Sequence, residues 1–199
     1  YYFLSLMLGL HTKGETSDEL LGLCRSTERF SPPMNVSPSI AKNLIDLSGT
    51  GGAPVKTFNV STAASFILAG AGVFVAKQSG PSVTGITGSA DMPAAFGVDL
   101  TKAFAQPDTV VKVLEEIGIV QFFVPYISRE FKYRAKLYPK LREIGLTFRM
   151  PVHLAAFAFH PMKPKKRIYG MFSDHYLITL AELFQKLGYE RGLTFYGEP

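Results

Sequence analysis

The densest group of chemistry-capable residues is Ser48-Gly49-Thr50-Gly51-Gly52, placed after an apolar run that reads as a strand. Glycines let a backbone turn tightly and approach a ligand, and successive N–H groups in such a turn form an anion-binding nest. A short way on, Asn59-Val60-Ser61-Thr62 opens a helical pattern. Hydroxyls, N–H groups and the positive end of a helix dipole then converge on one place. Lys56 and Lys77 are candidates to supply countercharge to a phosphate. The same residues also fit a plain glycine turn followed by an ordinary Ser/Thr cap. Glycines alone do not separate the two readings; the Asn-Val-Ser-Thr spacing favours the anion site. A second small-residue loop, Gly85-Ile86-Thr87-Gly88-Ser89-Ala90-Asp91, leads into another helix with Ser89 as candidate cap. Asp91 there either complements the first turn or touches a ligand hydroxyl, and the capping role is favoured.

Other constellations carry less. His11, His153, His160 and His175 share no metal-ligand spacing and read as packing or surface residues. Glu115 and Glu116 are neighbours on a helix and point about 100° apart, so they do not form a metal pair. No Ser-His-Asp set can be assembled, and no catalytic residue is assigned. Lys163-Pro164-Lys165-Lys166-Arg167 reads as a solvated loop. The stretch bearing Arg129, Lys132, Arg134, Lys136, Lys140 and Arg142 makes a positive surface suited to phosphate or nucleic acid.

The elements that must position these residues follow from periodicity and punctuation. Residues 1–30 read as helical, with a Thr16–Glu19 capping box. The proline-bearing segment 31–43 reads as a linker. Strands are expected over 44–47, 73–77, 119–124, 167–172 and 192–196. Helices are expected over 61–71, 89–96, 107–117, 129–144 (broken at Pro139) and 176–187. Strands separated by helices imply an α/β fold: a small helical N-terminal lobe, then a larger lobe, 44–199, with a mainly parallel central sheet flanked by helices.

Composition sets the bounds. The 199 residues are 47% hydrophobic, enough for a core, which excludes an intrinsically disordered chain. A formal charge of +5 favours an anionic partner without choosing one. The single cysteine, Cys24, forms no internal disulfide and points to a reducing compartment, so a cytoplasmic protein is expected. The apolar runs at the start and over 63–76 are too short to span a membrane.

Gly49-Thr50-Gly51-Gly52, Lys56-Thr57-Phe58-Asn59-Val60-Ser61-Thr62-Ala63-Ala64, Val75-Ala76-Lys77 and Gly88-Ser89-Ala90-Asp91 together closely resemble the anthranilate phosphoribosyltransferases. His11-Thr12-Lys13-Gly14-Glu15-Thr16 is similar to that family's helical-lobe segment. The resemblance implies transfer of phosphoribosyl from phosphoribosyl diphosphate to an aromatic amine such as anthranilate, with Mg2+, in tryptophan biosynthesis. It also implies two lobes with the substrates between them and a homodimer through the helical lobe. Carried over, Gly49, Thr50, Gly51, Gly52, Lys56, Thr57, Asn59, Ser61, Thr62, Lys77 and Ser89 would bind phosphoribosyl diphosphate. Ser89 would also approach the metal, and Arg134 and Arg142 are the nearest candidates to face the acceptor's carboxylate.

Departures from the family cluster on the acceptor side. Its Asp after Gly-Thr-Gly-Gly is Ala53 here, and its Lys-His-Gly-Asn-Arg is Lys77-Gln78-Ser79-Gly80-Pro81. Its Phe-Ala-Pro-x-x-His is Phe123-Val124-Pro125-Tyr126-Ile127-Ser128. The family's paired Asp-Glu metal ligands are expected beyond Pro199. The phosphoribosyl-diphosphate half of the site is thus expected to be kept and the acceptor half rebuilt. The competing expectation is a catalytically impaired homologue that binds nucleic acid or another anionic partner through its basic surface.

Overall fold

The computed structural model describes residues 2–51, 58–80, 88–99, 106–130, 136, 137, 141, 143, 145 and 150–197. The chain opens with helices α1 (Tyr2–Lys13), α2 (Ser17–Phe30) and α3 (Pro38–Asn43). Next come strand β1 (Ile45–Gly49), helix α4 (Val60–Gly70), strand β2 (Val75–Gln78) and helices α5 (Asp91–Ala95) and α6 (Pro107–Ile117). Strand β3 (Ile119–Phe122), helices α7 (Val124–Ile127) and α8 (Pro151–Ala158), strand β4 (Lys166–Gly170), helix α9 (Leu177–Lys186) and strand β5 (Arg191–Phe195) follow among the described residues.

The five strands form one sheet in the order β3-β2-β1-β4-β5, with every pairing parallel. Such a sheet needs both faces covered, and accordingly β2 has no exposed side: it is buried at all of its positions. From β1 the chain builds outward through β2 to β3, then returns to lay β4 on the other side of β1. That reversal places a topological switch point at the carboxyl ends of β1 and β4, the place where open α/β sheets take ligands.

Side chains alternate along each strand, and the register sets their faces. Asp46 pairs with Arg167, and Ile45 with Val75, so Leu47 and Lys77 share one face while Asp46 and Arg167 share the other. Helix α4 packs on β1 and β2 and meets the Lys77 side. Helices α8 and α9 meet the Arg167 side. The core there joins Leu20 and Cys24 of α2 to Leu154 and Ala155 of α8, Leu180 and Phe184 of α9, and Tyr169 of β4. Buried Cys24 donates to Ala155 O at 3.2 Å, and burial pushes its thiol up to about 12, so it is an inert core residue.

The expected capping box is present: Thr16 Oγ1 accepts from Glu19 N–H while Glu19 accepts from Thr16 N–H. Several expectations shift. Strand β1 runs on to Gly49 because Ser48 and Gly49 pair in register with Tyr169 and Gly170. The strand expected over 119–124 stops at Phe122, and α7 begins at Val124. Helix α3 sits in the segment read as linker, started by Pro38 at its first turn. Helix α8 was not expected at all, because its PVHLAAFA sequence is apolar on nearly every side and carries no periodic signal. The basic helix expected over 129–144 falls mainly outside the described residues.

Candidate functional site

The glycine motif leaves the end of β1 and is tied to β4 at once. Thr50 N–H donates to Gly170 O at 2.9 Å and Thr50 Oγ1 lies 3.4 Å from the same oxygen. The closeness favours glycine at position 49, where a Cβ would stand 3.1 Å from Gly170 O. Gly51 has φ +62°, the left-handed region that glycine enters without strain. The turn is therefore built at the β1/β4 switch point. Gly52, Lys56 and Thr57 lie outside the described residues.

Helix α4 points its N-terminus toward the same end of the sheet. Asn59 occupies the N-cap position but does not cap with its side chain; its Nδ2 donates to Gly88 O at 3.3 Å and ties the two small-residue loops together. Ser61 Oγ accepts from Lys77 Nζ at 3.0 Å, and Lys77 also donates to Leu47 O at 2.6 Å. Thr62 is fully buried, and its Oγ1 has no hydrogen-bond partner among the described residues. Lys77 is only 1% exposed, and burial pulls its ammonium down to about 8, with Asp46 opposing the change and Arg167 adding to it. Both of these Lys77 partners are neutral oxygens, so its charge is seated without being cancelled.

The second loop differs from expectation. Ser89 does not cap α5, whose N-cap is Ala90; its Oγ instead accepts from Gly80 N–H at 3.2 Å and lies 3.4 Å from Gly80 O. The reason is position: the hydroxyl reaches back to the end of β2 rather than forward into the helix. Asp91 keeps the local role, accepting from Gly88 N–H.

At the ends of β2 and β3 the family-divergent residues meet. Gln78 is turned to the Arg167 face, where its Nε2 donates to Phe159 O, so it is committed to the core. Ser79 Oγ donates to Gln121 Oε1 at 3.2 Å. A Cβ at Gly80 would stand 3.3 Å from Phe123 and 3.5 Å from Phe157, and Phe123 packs edge-on to Tyr126 at 5.0 Å. An aromatic surface thus adjoins Ser89 and Gly80. Arg134 and Arg142 lie outside the described residues.

The sequence reading missed the cluster beneath the turn. Asp46 and Arg167, both with fully buried side chains, form an ion pair at 2.9 Å. Arg167 also donates to Ser48 Oγ at 3.1 Å, Tyr189 OH at 2.7 Å, Ala158 O at 2.6 Å and Phe157 O. Asp46 accepts from Ser48 Oγ at 2.8 Å and from Gln78 N–H at 3.3 Å. The available signal was an Asp inside an apolar strand and an Arg at its paired position. Arg167 is accordingly no part of a solvated basic loop, and in that run Lys163 and Lys165 pair with Glu28 and Glu190. The surface proposed for nucleic acid rests on 129–142, most of it outside the described residues.

Magnesium does not fit the described residues alone. Among them no group of three His, Cys, Asp or Glu stands together, and Ser89 offers one neutral oxygen already engaged with Gly80. No described helix is long and apolar enough to cross a membrane.

Comparison with known proteins agrees with this geometry. The chain is 35% identical to an anthranilate phosphoribosyltransferase of Moorella thermoacetica over 97% of its own length and 54% of the relative's. The crystal structure of the Thermus thermophilus anthranilate phosphoribosyltransferase superposes with a TM-score of 0.84 at 30% identity, covering 97% of this chain and 55% of that one. A Saccharomyces cerevisiae anthranilate phosphoribosyltransferase solved with PRPP and Mg shares the fold, with a TM-score of 0.75 at 22% identity over 91% of this chain and 47% of that one. The chain spans about half the length of the curated relatives it matches. The family model for the glycosyl transferase family a/b domain matches residues 41–198, and the chain belongs to that family.

Proposed function

We propose that this chain carries the phosphoribosyl-diphosphate-binding part of a phosphoribosyltransferase that transfers phosphoribosyl to an aromatic amine such as anthranilate, as in tryptophan biosynthesis. The observation that carries the reading is Lys77: a buried ammonium seated on Ser61 at the N-terminus of α4, facing the same sheet end as the Gly49–Gly51 turn. Backbone N–H groups, a helix N-terminus and one uncancelled cation together suit a diphosphate. Thr62 Oγ1 has unspent hydrogen-bonding capacity for a ligand oxygen. Gly52, Lys56 and Thr57 are proposed to complete the cradle from the adjoining loop.

In the reaction, the amine nitrogen bonds to the ribosyl anomeric carbon as the bond to the diphosphate oxygen breaks, and the nitrogen gives up a proton. Little covalent help is needed: the residues hold the diphosphate, disperse its charge and fix the line of attack. The aromatic surface of Phe123, Tyr126 and Phe157 beside Gly80 is proposed to receive the acceptor ring, with Arg134 and Arg142 as candidates for its carboxylate. Magnesium is proposed to accompany the diphosphate, and Ser89 would be a candidate oxygen toward it. A helical lobe at 1–30, a linker at 31–43, a homodimer through the lobe and a cytoplasmic location belong to the same proposal.

The test is calorimetric titration of the chain with phosphoribosyl diphosphate, with and without Mg2+. Saturable, magnesium-dependent binding is expected, followed by consumption of anthranilate in a turnover assay. No binding at millimolar ligand overturns the reading. Binding without turnover of anthranilate keeps the diphosphate site and rejects that acceptor.

A further inference from the structure

The buried pair of Asp46 and Arg167 makes no described contact with Lys77, yet it fixes the strand whose carbonyl seats the Lys77 ammonium. Leu47, whose carbonyl seats the ammonium, lies between Asp46 and Ser48, and both of those side chains are fixed by Arg167. Asp46 also accepts from Gln78 N–H, the amide next to Lys77 in β2. Arg167 is in turn fixed by Tyr189 and by two carbonyls of α8. One buried pair thus ties β1 to β2 and β4 directly under the glycine turn.

We propose that Asp46 and Arg167 are positioning residues for Lys77: on the opposite face of the sheet, they fix the strand carbonyl that seats its ammonium and between them set the field in which it meets an incoming diphosphate. The proposal rests on the reading of the site as diphosphate-binding. The groups around Lys77 divide simply. Helix α4 brings only the neutral Ser61, β3 brings the neutral Gln121, β1 brings Asp46 and β4 brings Arg167. His160, which precedes β4, is held neutral: its Nδ1 accepts from Met162 N–H at 3.2 Å while Nε2 contacts Ala76 O at 3.0 Å. The field at Lys77 is therefore chiefly that of the pair, and the carboxylate and guanidinium act on it with opposite signs.

Opposite signs give a readout that a merely structural pair would not produce. Inorganic pyrophosphate binding is measured against pH for the wild-type chain, Asp46→Asn and Arg167→Gln. The pH at which affinity falls is expected to move down by about one pH unit in Asp46→Asn and up in Arg167→Gln. Arg167→Lys, which keeps the charge, is expected to return toward the wild-type profile. Should either single variant fail to fold, the Asp46→Asn/Arg167→Gln double variant replaces the pair by amides. Its profile is expected to move down, since the carboxylate is the larger of the two influences. In parallel, the Lys77 13Cε resonance, assigned by Lys77→Met, is titrated without ligand. Equal losses of affinity with no shift in either profile or resonance overturn the proposal. A wild-type chain that binds no pyrophosphate overturns the diphosphate reading and, with it, the pair's role toward a ligand, while the resonance still tells whether the pair sets the Lys77 charge.

Discussion

The two faces of β1 and β2 hold buried cations under different terms. On one, Lys77 rests on two neutral oxygens, and burial draws its ammonium down to about 8. On the other, burial likewise works against Arg167, but Tyr189 and Asp46 outweigh it and hold the guanidinium above its ordinary value. Tyr189 itself is pushed up to about 12 by burial. The difference separates two uses of a buried charge. A cation answered by a carboxylate has its interactions spent inside the fold. One seated only on neutral groups retains a field that an anion can still satisfy.

The largest expected effect breaks the spent side. Asp46→Ala strands Arg167 in the core and is expected to cost about 3–5 kcal/mol of folding stability, whereas Asp46→Leu with Arg167→Met costs much less. Urea denaturation of both variants checks this. A single change costing under about 1 kcal/mol contradicts a buried, mutually dependent pair.

Next comes acid. Burial draws His160 down to about 4, and its Nδ1 is occupied by Met162 N–H. Between pH 6.5 and 4 the unfolded chain therefore takes up a proton that the folded chain refuses. Stability then falls as pH falls through that window, by about 3 kcal/mol in total. His160→Gln should remove this component from the pH profile of unfolding, since its amide does not titrate. An unchanged slope would mean that the ring titrates normally in the folded state.

On the seated side, the sign of the stability change differs. Lys77→Met removes a desolvated charge, so stability is expected to hold or rise, while diphosphate affinity drops by about 1.5–3 kcal/mol, the value of a charged hydrogen bond. Paired calorimetry and urea titrations read the two quantities separately. Lost stability with unchanged affinity would place Lys77 with Arg167 as a structural cation.

This contrast also explains what the sequence made legible. The glycine turn, Asn59-Val60-Ser61-Thr62 and Lys77 are consecutive or regularly placed, so local geometry brings them together. The Asp46–Arg167 pair depends on β4 lying beside β1 after a long crossover, and nothing local announces it. Both ends of helix α6 are legible because Pro107 starts it and Gly118, at φ +82°, stops it. Helix α8 carries no such signal, because its burial on nearly every side erases the amphipathic period. Ser before a helix normally caps it, but the close approach of Gly80 draws the Ser89 hydroxyl away.

The smallest prediction decides whether the contrast between the faces is local chemistry or general fragility. The Thr16 capping box lies at the start of α2, distant in kind from both charged clusters. Backbone hydrogen bonding from Thr16, helped by Lys13 at 2.9 Å, holds the Glu19 carboxyl below its ordinary value. Thr16→Ala is expected to cost about 1 kcal/mol and to leave diphosphate affinity where it was. If affinity falls in step with that loss, part of any deficit in Asp46 or Lys77 variants reflects a loosened fold. If it does not, an affinity change in those variants belongs to the charges themselves, and the division between a spent and an available cation stands.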